Sequence, residues 1–325
     1  MKNSLAIFAA ILGVACFGPA HGQQPESTYP SKPIRMIIPL PPGGSVDPTA
    51  RMVATRISPR LKQQVIVENI PGGSGVIAAE TVGRAAPDGH TLFFATPTVM
   101  VIGPLMNKKL PYSPRDFDPV SLVVSNPFVL TIPASLPVNS LGEFIALAKL
   151  KPGSLNFGTS GEGAPQHIAI ELLKSMTGID LVHVPYKGGG QIQVDLMAGR
   201  VHLYASAVLG VVSNVKSGKL KAIAVTTSTR ASAMPDVPTV SESGVPGYDF
   251  DTWYAVFATA KTPAPIIGRL NSEIVAALSD PELVKNMASQ GSELRSSTPA
   301  ALAAIVKTEN DRLSRLLEKI GLLDK

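Results

Sequence analysis

The segment Gly158-Thr159-Ser160-Gly161-Glu162 comes closest to a catalytic arrangement in this chain. A nucleophile elbow sets a serine on a sharp strand-to-helix turn and needs Gly-x-Ser-x-Gly. The fifth position here is Glu162, so acyl transfer is poorly supported, and an exported α/β hydrolase using Ser160 stands only as an alternative. The five histidines, His21, His90, His167, His183 and His202, show neither His-x-x-x-His nor His-Glu-x-x-His spacing. No metal site is therefore expected. Cys16 is the only cysteine, so the rest of the chain offers no thiol nucleophile and no thiolate ligand. No catalytic residue and no cofactor is expected.

Four glycine-rich loops carry the alternative chemistry. They are Pro42-Gly43-Gly44-Ser45-Val46-Asp47, Pro71-Gly72-Gly73-Ser74-Gly75, Gly158-Thr159-Ser160-Gly161-Glu162-Gly163 and Tyr186-Lys187-Gly188-Gly189-Gly190. Each precedes a helical pattern. Glycine lets backbone N–H groups approach a ligand, and a helix N-terminus adds positive potential, so such loops suit an anion. A tight turn explains any one of them. Several in successive α/β units gather at the carboxyl ends of strands and make a ligand crevice. Neither the P-loop pattern nor the dinucleotide fingerprint is matched, which leaves carboxylate as the simplest small anion.

Other polar and aromatic residues have two readings each. His167, one to two turns inside the helix after the Gly158 loop, lines a pocket or packs. Lys187 neutralises a distal anionic group or is simply exposed. Trp253, the only tryptophan, stacks on a ligand, seals a hinge or packs in the core. Asp47 suits an N-cap, with Pro48 at the first helical position, and is read as a site organiser rather than a base.

These residues must be positioned by alternating strands and helices. Residues 34–40 form a short apolar β-rich run, and Ala50, Val53, Ile57 and Leu61 then recur at helical spacing. The unit repeats: a strand at Val65-Ile66-Val67, a helix over 76–86, and a strand over 91–96. A second set follows, with a strand over 128–133, a helix opened by the capping box at Ser140 and Glu143, and a strand at Leu155-Asn156-Phe157. A helix to Gly178 and a strand over 181–184 complete it. The last third holds strands over 220–226 and 253–260 and three helices, the second opened by Asp280-Pro281 and the third by Thr298-Pro299. Short loops between alternating elements predict two α/β units on mainly parallel, doubly wound sheets.

Composition bounds the setting. Residues 1–22 read as a signal peptide, with Lys2 as its only charge, an apolar run over 5–17, and small residues at Ala20 and Gly22. The run is too short to span a bilayer comfortably. A mature chain from about Gln23 lacks cysteine, so an exported protein of this size depends on ordinary hydrophobic cores, and the length allows two. The 29 basic and 24 acidic residues give a net charge of +5, lowered by one when Lys2 is lost. That mild excess without basic blocks argues against nucleic acid and modestly favours an anionic ligand.

Six segments in this order resemble one family. They are Tyr29-Pro30-Ser31-Lys32-Pro33-Ile34; Pro42 to Asp47 with Ala50-Arg51; Val67-Glu68-Asn69-Ile70-Pro71-Gly72-Gly73; Lys151-Pro152-Gly153; His183-Val184-Pro185-Tyr186-Lys187-Gly188-Gly189; and Pro235-Asp236-Val237-Pro238-Thr239-Val240 through Gly244-Val245-Pro246-Gly247-Tyr248 to Trp253. The chain resembles the Bug-type periplasmic solute-binding proteins of tripartite tricarboxylate transporters over essentially its whole mature length.

The resemblance implies a type II periplasmic-binding-protein fold, α/β, with two domains flanking a ligand cleft: residues 23–125 plus 252–325, and residues 126–251. It implies a small carboxylate ligand, hinge closure, a monomer, and delivery to two membrane permease subunits; a solute sensor serving a receptor is the alternative use of the same cleft. The carboxylate grip is expected at Gly43, Gly44, Ser45, Thr159, Ser160 and Gly161, with Pro42, Asp47 and Ala164 alongside. Thr96, His167, Tyr186, Tyr204, Ser206 and Trp253 are expected to read the rest of the ligand. The chain has His202 and Ser206 where family members often carry acidic residues, which argues against recognition of a ligand amine. Pro59 is expected to kink a helix that usually runs on.

Overall fold

The computed structural model describes residues 29–42, 46–186, 188–289 and 291–323. The expected signal segment, Gly43, Gly44, Ser45 and Lys187 lie outside the described residues.

β1 (Ile34–Ile38) buries every residue except Arg35, as a strand covered on both faces must. α1 (Val46–Leu61) buries Ala50, Val53, Ile57 and Leu61, the stripe read from helical spacing. The helix begins at Val46, so Asp47 and Pro48 lie inside its first turn rather than at the N-cap and first helical position. Any first-turn N–H lacks an intrahelical partner, so proline loses nothing by the shift. Pro59 falls in the last turn, two residues before the helix ends, and therefore disturbs little of it. β2 (Val65–Asn69), a 3-10 turn over Gly73–Gly75, α2 (Val76–Gly83) and β3 (Thr91–Ala95) complete this unit.

A π-helical turn over Thr98–Ile102 and α3 (Gly103–Met106) lead to β4 (Phe117–Pro133). Then come α4 (Leu141–Leu150), β5 (Asn156–Thr159), α5 (Pro165–Thr177), β6 (Val182–Pro185) and α6 (Gly189–Met197). β7 (Leu203–Ala207), α7 (Val208–Lys216), β8 (Leu220–Val225) and β9 (Asp251–Thr259) follow. α8 (Ala264–Leu278), α9 (Pro281–Ser289), β10 (Glu293–Leu294) and α10 (Pro299–Lys319) end the described chain.

The strand order is β2-β1-β3-β9-β4-β7-β5-β6, with β8 and β10 also paired to β4. β1 pairs in parallel with β2 and β3, and β5 in parallel with β6 and β7. The middle is antiparallel, because β9 runs against both β3 and β4. The sheets are thus mixed, where strand and helix alternation predicted mainly parallel ones. β4 is also far longer than the six-residue strand expected. Pro119 and Pro127 hide its first part in the sequence, and register shifts near Pro119 and Leu122 show how they are accommodated.

β4 belongs to both halves. Its residues 117–127 pair with β9, while Phe128 to Thr131 pair with β7 and Val129 to Pro133 with β8. One core lies between the first sheet and α1 and α8, with Ile34, Phe94, Ile57 and Leu270 among its members. Another packs α6 and α7 on the second, through Ile192, Leu196 and Val211. The largest joins them, running from Phe93 and Val101 through Phe128 and Phe157 to Leu313 and Leu317 of α10.

Candidate functional site

A cleft of about 700 Å³ opens where β4 and β9 cross between the halves. The strand-to-helix turns face it: Leu40 and Val46 after β1, Thr96 to Val99 after β3, Ala207 and Gly210 after β7. Pro165 and Gln166 bring in the first turn of α5, and Asn126, Phe128, Thr252 and Tyr254 form the floor. Strands whose carboxyl ends converge produce this crevice by topology alone. Among its described lining residues there is no Asp, Glu, Lys, Arg or His.

The floor is stitched by side chains that replace ladder bonds near Pro127. The Asp251 carboxylate accepts from Ser125 Oγ at 2.5 Å and from the Asn126 N–H at 3.0 Å. The Asn126 amide donates to the Thr252 carbonyl, and the Thr252 hydroxyl returns a bond to the Asn126 carbonyl. Ser292 Oγ donates to Asn126 Oδ1 at 2.7 Å. Burial pushes the Asp251 carboxyl up to about 6, against the opposing bonds from Ser125 and Asn126.

The loop after β5 is built from inside. Thr159 is fully buried, its hydroxyl 2.6 Å from His183 Nε2, and it accepts the Gly161 N–H at 3.2 Å. His167 Nδ1 accepts the Gly163 N–H at 3.1 Å. Ser160 Oγ donates to Gln166 Oε1 at 3.2 Å. An amide is no base, so the partner Ser160 has among the described residues is not one that activates a serine nucleophile.

The expected site residues are distributed unevenly. Thr96 lines the cleft, and Pro42, Asp47, Ser160, Gly161 and Ala164 lie on the turns that approach it. Asp47 is turned to Arg51, whose Nε donates to it at 3.0 Å. Ser206 lies just behind the lining, its Oγ so near Gly210 that an added Cβ there would sit 3.3 Å away. Thr159 and His167 support the loop from the core side. Tyr186 points elsewhere, its hydroxyl donating to Asp195 at 2.7 Å, and Tyr204 is packed with Val129 and Ile192. Trp253 is buried and faces a second cavity of about 500 Å³ with Arg295 and Arg312. His202 is also away from the cleft, where its Nδ1 accepts the Asn156 N–H at 3.2 Å, so it bears on strand packing rather than on ligand charge.

The floor residues Asn126, Phe128, Thr252 and Tyr254 were not among those expected. Strand alternation contains the signal: with Trp253 in the core, Thr252 and Tyr254 must project from the other face.

Two α/β halves sharing a long strand, with turns converging on the crevice between them, define a solute-binding protein of the periplasmic-binding class. The tripartite tricarboxylate transporter family receptor is matched over residues 49–322. The chain belongs to that family, as a solute-binding receptor. It is 34% identical to the protein BugT of Bordetella pertussis, over 98% of this chain and 96% of that one. Its fold matches the R. palustris protein Rpa4515 with adipate at a TM-score of 0.75, 32% identical over 90% of this chain and 98% of that one. It also matches MatC of Rhodopseudomonas palustris with bound malate at 0.70, 29% identical over 89% and 100%.

Proposed function

We propose that this receptor captures a small carboxylate-bearing solute in the periplasm and delivers it to the two membrane permease subunits of its transporter. Residues 23–125 plus 252–325 close over residues 126–251 around the ligand, which stabilises the closed form by binding it better than the open one. The protein acts as a monomer and does no chemistry on the solute. Export rests on the apolar run over residues 5–17.

The observation that carries this reading is a cleft into which two long helices, α1 and α5, point their N-termini, without a charged side chain among its described lining residues. An anion there is held by backbone N–H groups and helix dipoles. Gly43, Gly44 and Ser45 before α1 and the turn at Thr159, Ser160 and Gly161 before α5 make the grip, Thr159 holding Gly161 in place from beneath, with Pro42, Asp47 and Ala164 shaping the two turns. Phe128, Tyr254, Pro39 and Val99 offer the body of the solute an apolar wall. The adipate and malate held by the two R. palustris relatives support a carboxylate as the shared chemistry.

Thermal unfolding in the presence of adipate, malate, benzoate and their amides tests the reading. A ligand at about 100 times its dissociation constant adds about 2.7 kcal/mol, and acids should stabilise where amides do not. Stabilisation by none of the acids would overturn it.

A further inference from the structure

Three rings sit beneath the loop after β5. His167 and His183 stack with centroids 4.2 Å apart and planes 17° from parallel, and Phe157 lies 5.1 Å from His183. Each histidine holds a different part of the loop. His183 Nε2 meets the Thr159 hydroxyl, which in turn accepts the Gly161 N–H; His167 Nδ1 accepts the Gly163 N–H directly. The second of these bonds fixes a tautomer. An Nδ1 that accepts carries no proton, so the neutral ring has its hydrogen on Nε2, which lies 3.8 Å from Glu171 Oε1. Adding a proton to Nδ1 would set one N–H against another.

We propose that His167 is a positioning residue of the ligand loop: its neutral ring, stacked on His183, holds Gly163 and with it the turn from Thr159, and protonation of Nδ1 releases that turn. The inference rests on the carboxylate reading only for its consequence, which is weaker ligand binding in acid.

The surroundings favour the neutral ring. Around His167 stand His183 on β6, Glu171 and Lys174 on α5, and Glu162 in the loop. Burial depresses the proton affinity of His167 first, and the neighbouring His183 and Lys174 act in the same direction, while Glu171 and Glu162 oppose them. Lys174 is itself committed to Glu171 at 2.7 Å. Buried, and stacked at 4.2 Å on a second imidazole, the ring takes up its proton below the range usual for a histidine.

The test uses the intact protein and two readouts. Imidazole and amide nitrogen NMR without ligand follows His167 and Gly163 from about pH 8 to about pH 5, and calorimetry with adipate follows affinity over the same range. His167 Nδ1 should be unprotonated at the upper end, and the Gly163 amide should shift as the ring titrates. Adipate affinity should fall with the same midpoint. His167→Asn, whose Oδ1 replaces the acceptor, should keep affinity at the upper end and lose its dependence on pH. His167→Leu should lose about tenfold throughout, because the Gly163 N–H is left unpaired. A Gly163 amide indifferent to the ring's titration, or adipate affinity that is flat from one end to the other, would overturn the proposal. Should the loop respond as described while neither adipate nor malate binds, the positioning role stands and the carboxylate reading falls.

Discussion

Trp253 Nε1 donates to Glu309 Oε2 at 2.6 Å, with both side chains buried. The bond fastens α10 to β9 where that strand pairs with the middle of β4, since Trp253 lies opposite Ser125. Two residues before Trp253, Asp251 holds Ser125 and Asn126 from the same strand. The far end of α10 reaches the other half, where Lys319 donates to the Ser175 carbonyl and hydroxyl. The helix is thus anchored on both sides of the crossing, and its central anchor is a carboxyl group shut away from water.

That carboxyl makes stability depend on pH in a predictable direction. Burial pushes Glu309 up to about 7, with the Trp253 bond and Arg312 pulling the other way. Its folded value exceeds the unfolded one, so between about pH 4.5 and about pH 7 the folded chain binds more protons, and this contribution to stability is lost as pH rises. Glu309→Gln keeps a carbonyl acceptor for the indole and removes the charge. Urea melts should show the variant near wild type at about pH 4.5 and more stable by on the order of 1 kcal/mol above about pH 8. A variant less stable at both ends would refute this account.

Trp253→Phe separates packing from recognition. The change leaves the Glu309 carboxyl without its donor, at a cost of about 1–3 kcal/mol of stability. The ring faces the cavity beside Arg295 and Arg312, not the cleft. Ligand affinity measured by calorimetry should therefore stay within about twofold of wild type. A tenfold loss would put the indole back in the binding site.

The elements that obey simple periodicity were legible in the sequence. The stripe Ala50, Val53, Ile57 and Leu61 of α1 and the capped starts of α4 and α10, where Ser140 and Thr298 accept the Glu143 and Ala301 N–H groups, are local features. What escaped depends on distant partners. Residues 117–127 carry two prolines and lie before the strand expected over 128–133, yet β9 pairs with them across a long stretch of chain. Within the site, glycine spacing located the turns, but the facing of each side chain was not legible: Tyr186 and Lys187 neighbour a glycine triplet, and only the fold shows Tyr186 spent on Asp195. Trp253 and Tyr254 are adjacent, and the pleat sends one to the core and the other to the cleft floor.

Asp251 is predicted to couple stability to binding. Its carboxylate satisfies Ser125 Oγ and the Asn126 N–H, and Asn126 is on the cleft floor. Asp251→Ala strands both donors and should cost about 1–3 kcal/mol in a urea titration. It should also weaken ligand binding, because Asn126 loses the contact that fixes its backbone. Asp251→Asn retains one acceptor and should recover most of both effects. Equal damage from Ala and Asn would instead implicate the charge.

Gly161 and Gly163 test the loop in different ways. Gly161 has φ +128° with nothing within 4 Å of an added Cβ, so Gly161→Ala meets only backbone strain. That conformation is nearly closed to other residues, and the loop should relax out of its shape, losing affinity with about 1 kcal/mol or less of global stability. Gly163 has φ +72°, and a Cβ there would come within 2.9 Å of the Met106 Sδ and Cε, across a smaller pocket beside the cleft. The thioether is the free end of a flexible side chain and can yield. Gly163→Ala should therefore cost about 1 kcal/mol for its left-handed backbone, and lose affinity as well because Met106 is pushed into the approach of the two halves. Adding Met106→Ala should return part of that affinity and none of the stability. If the second change restores neither, the close approach of Met106 to Gly163 is not part of the closed form, and the loss belongs wholly to the backbone of the loop.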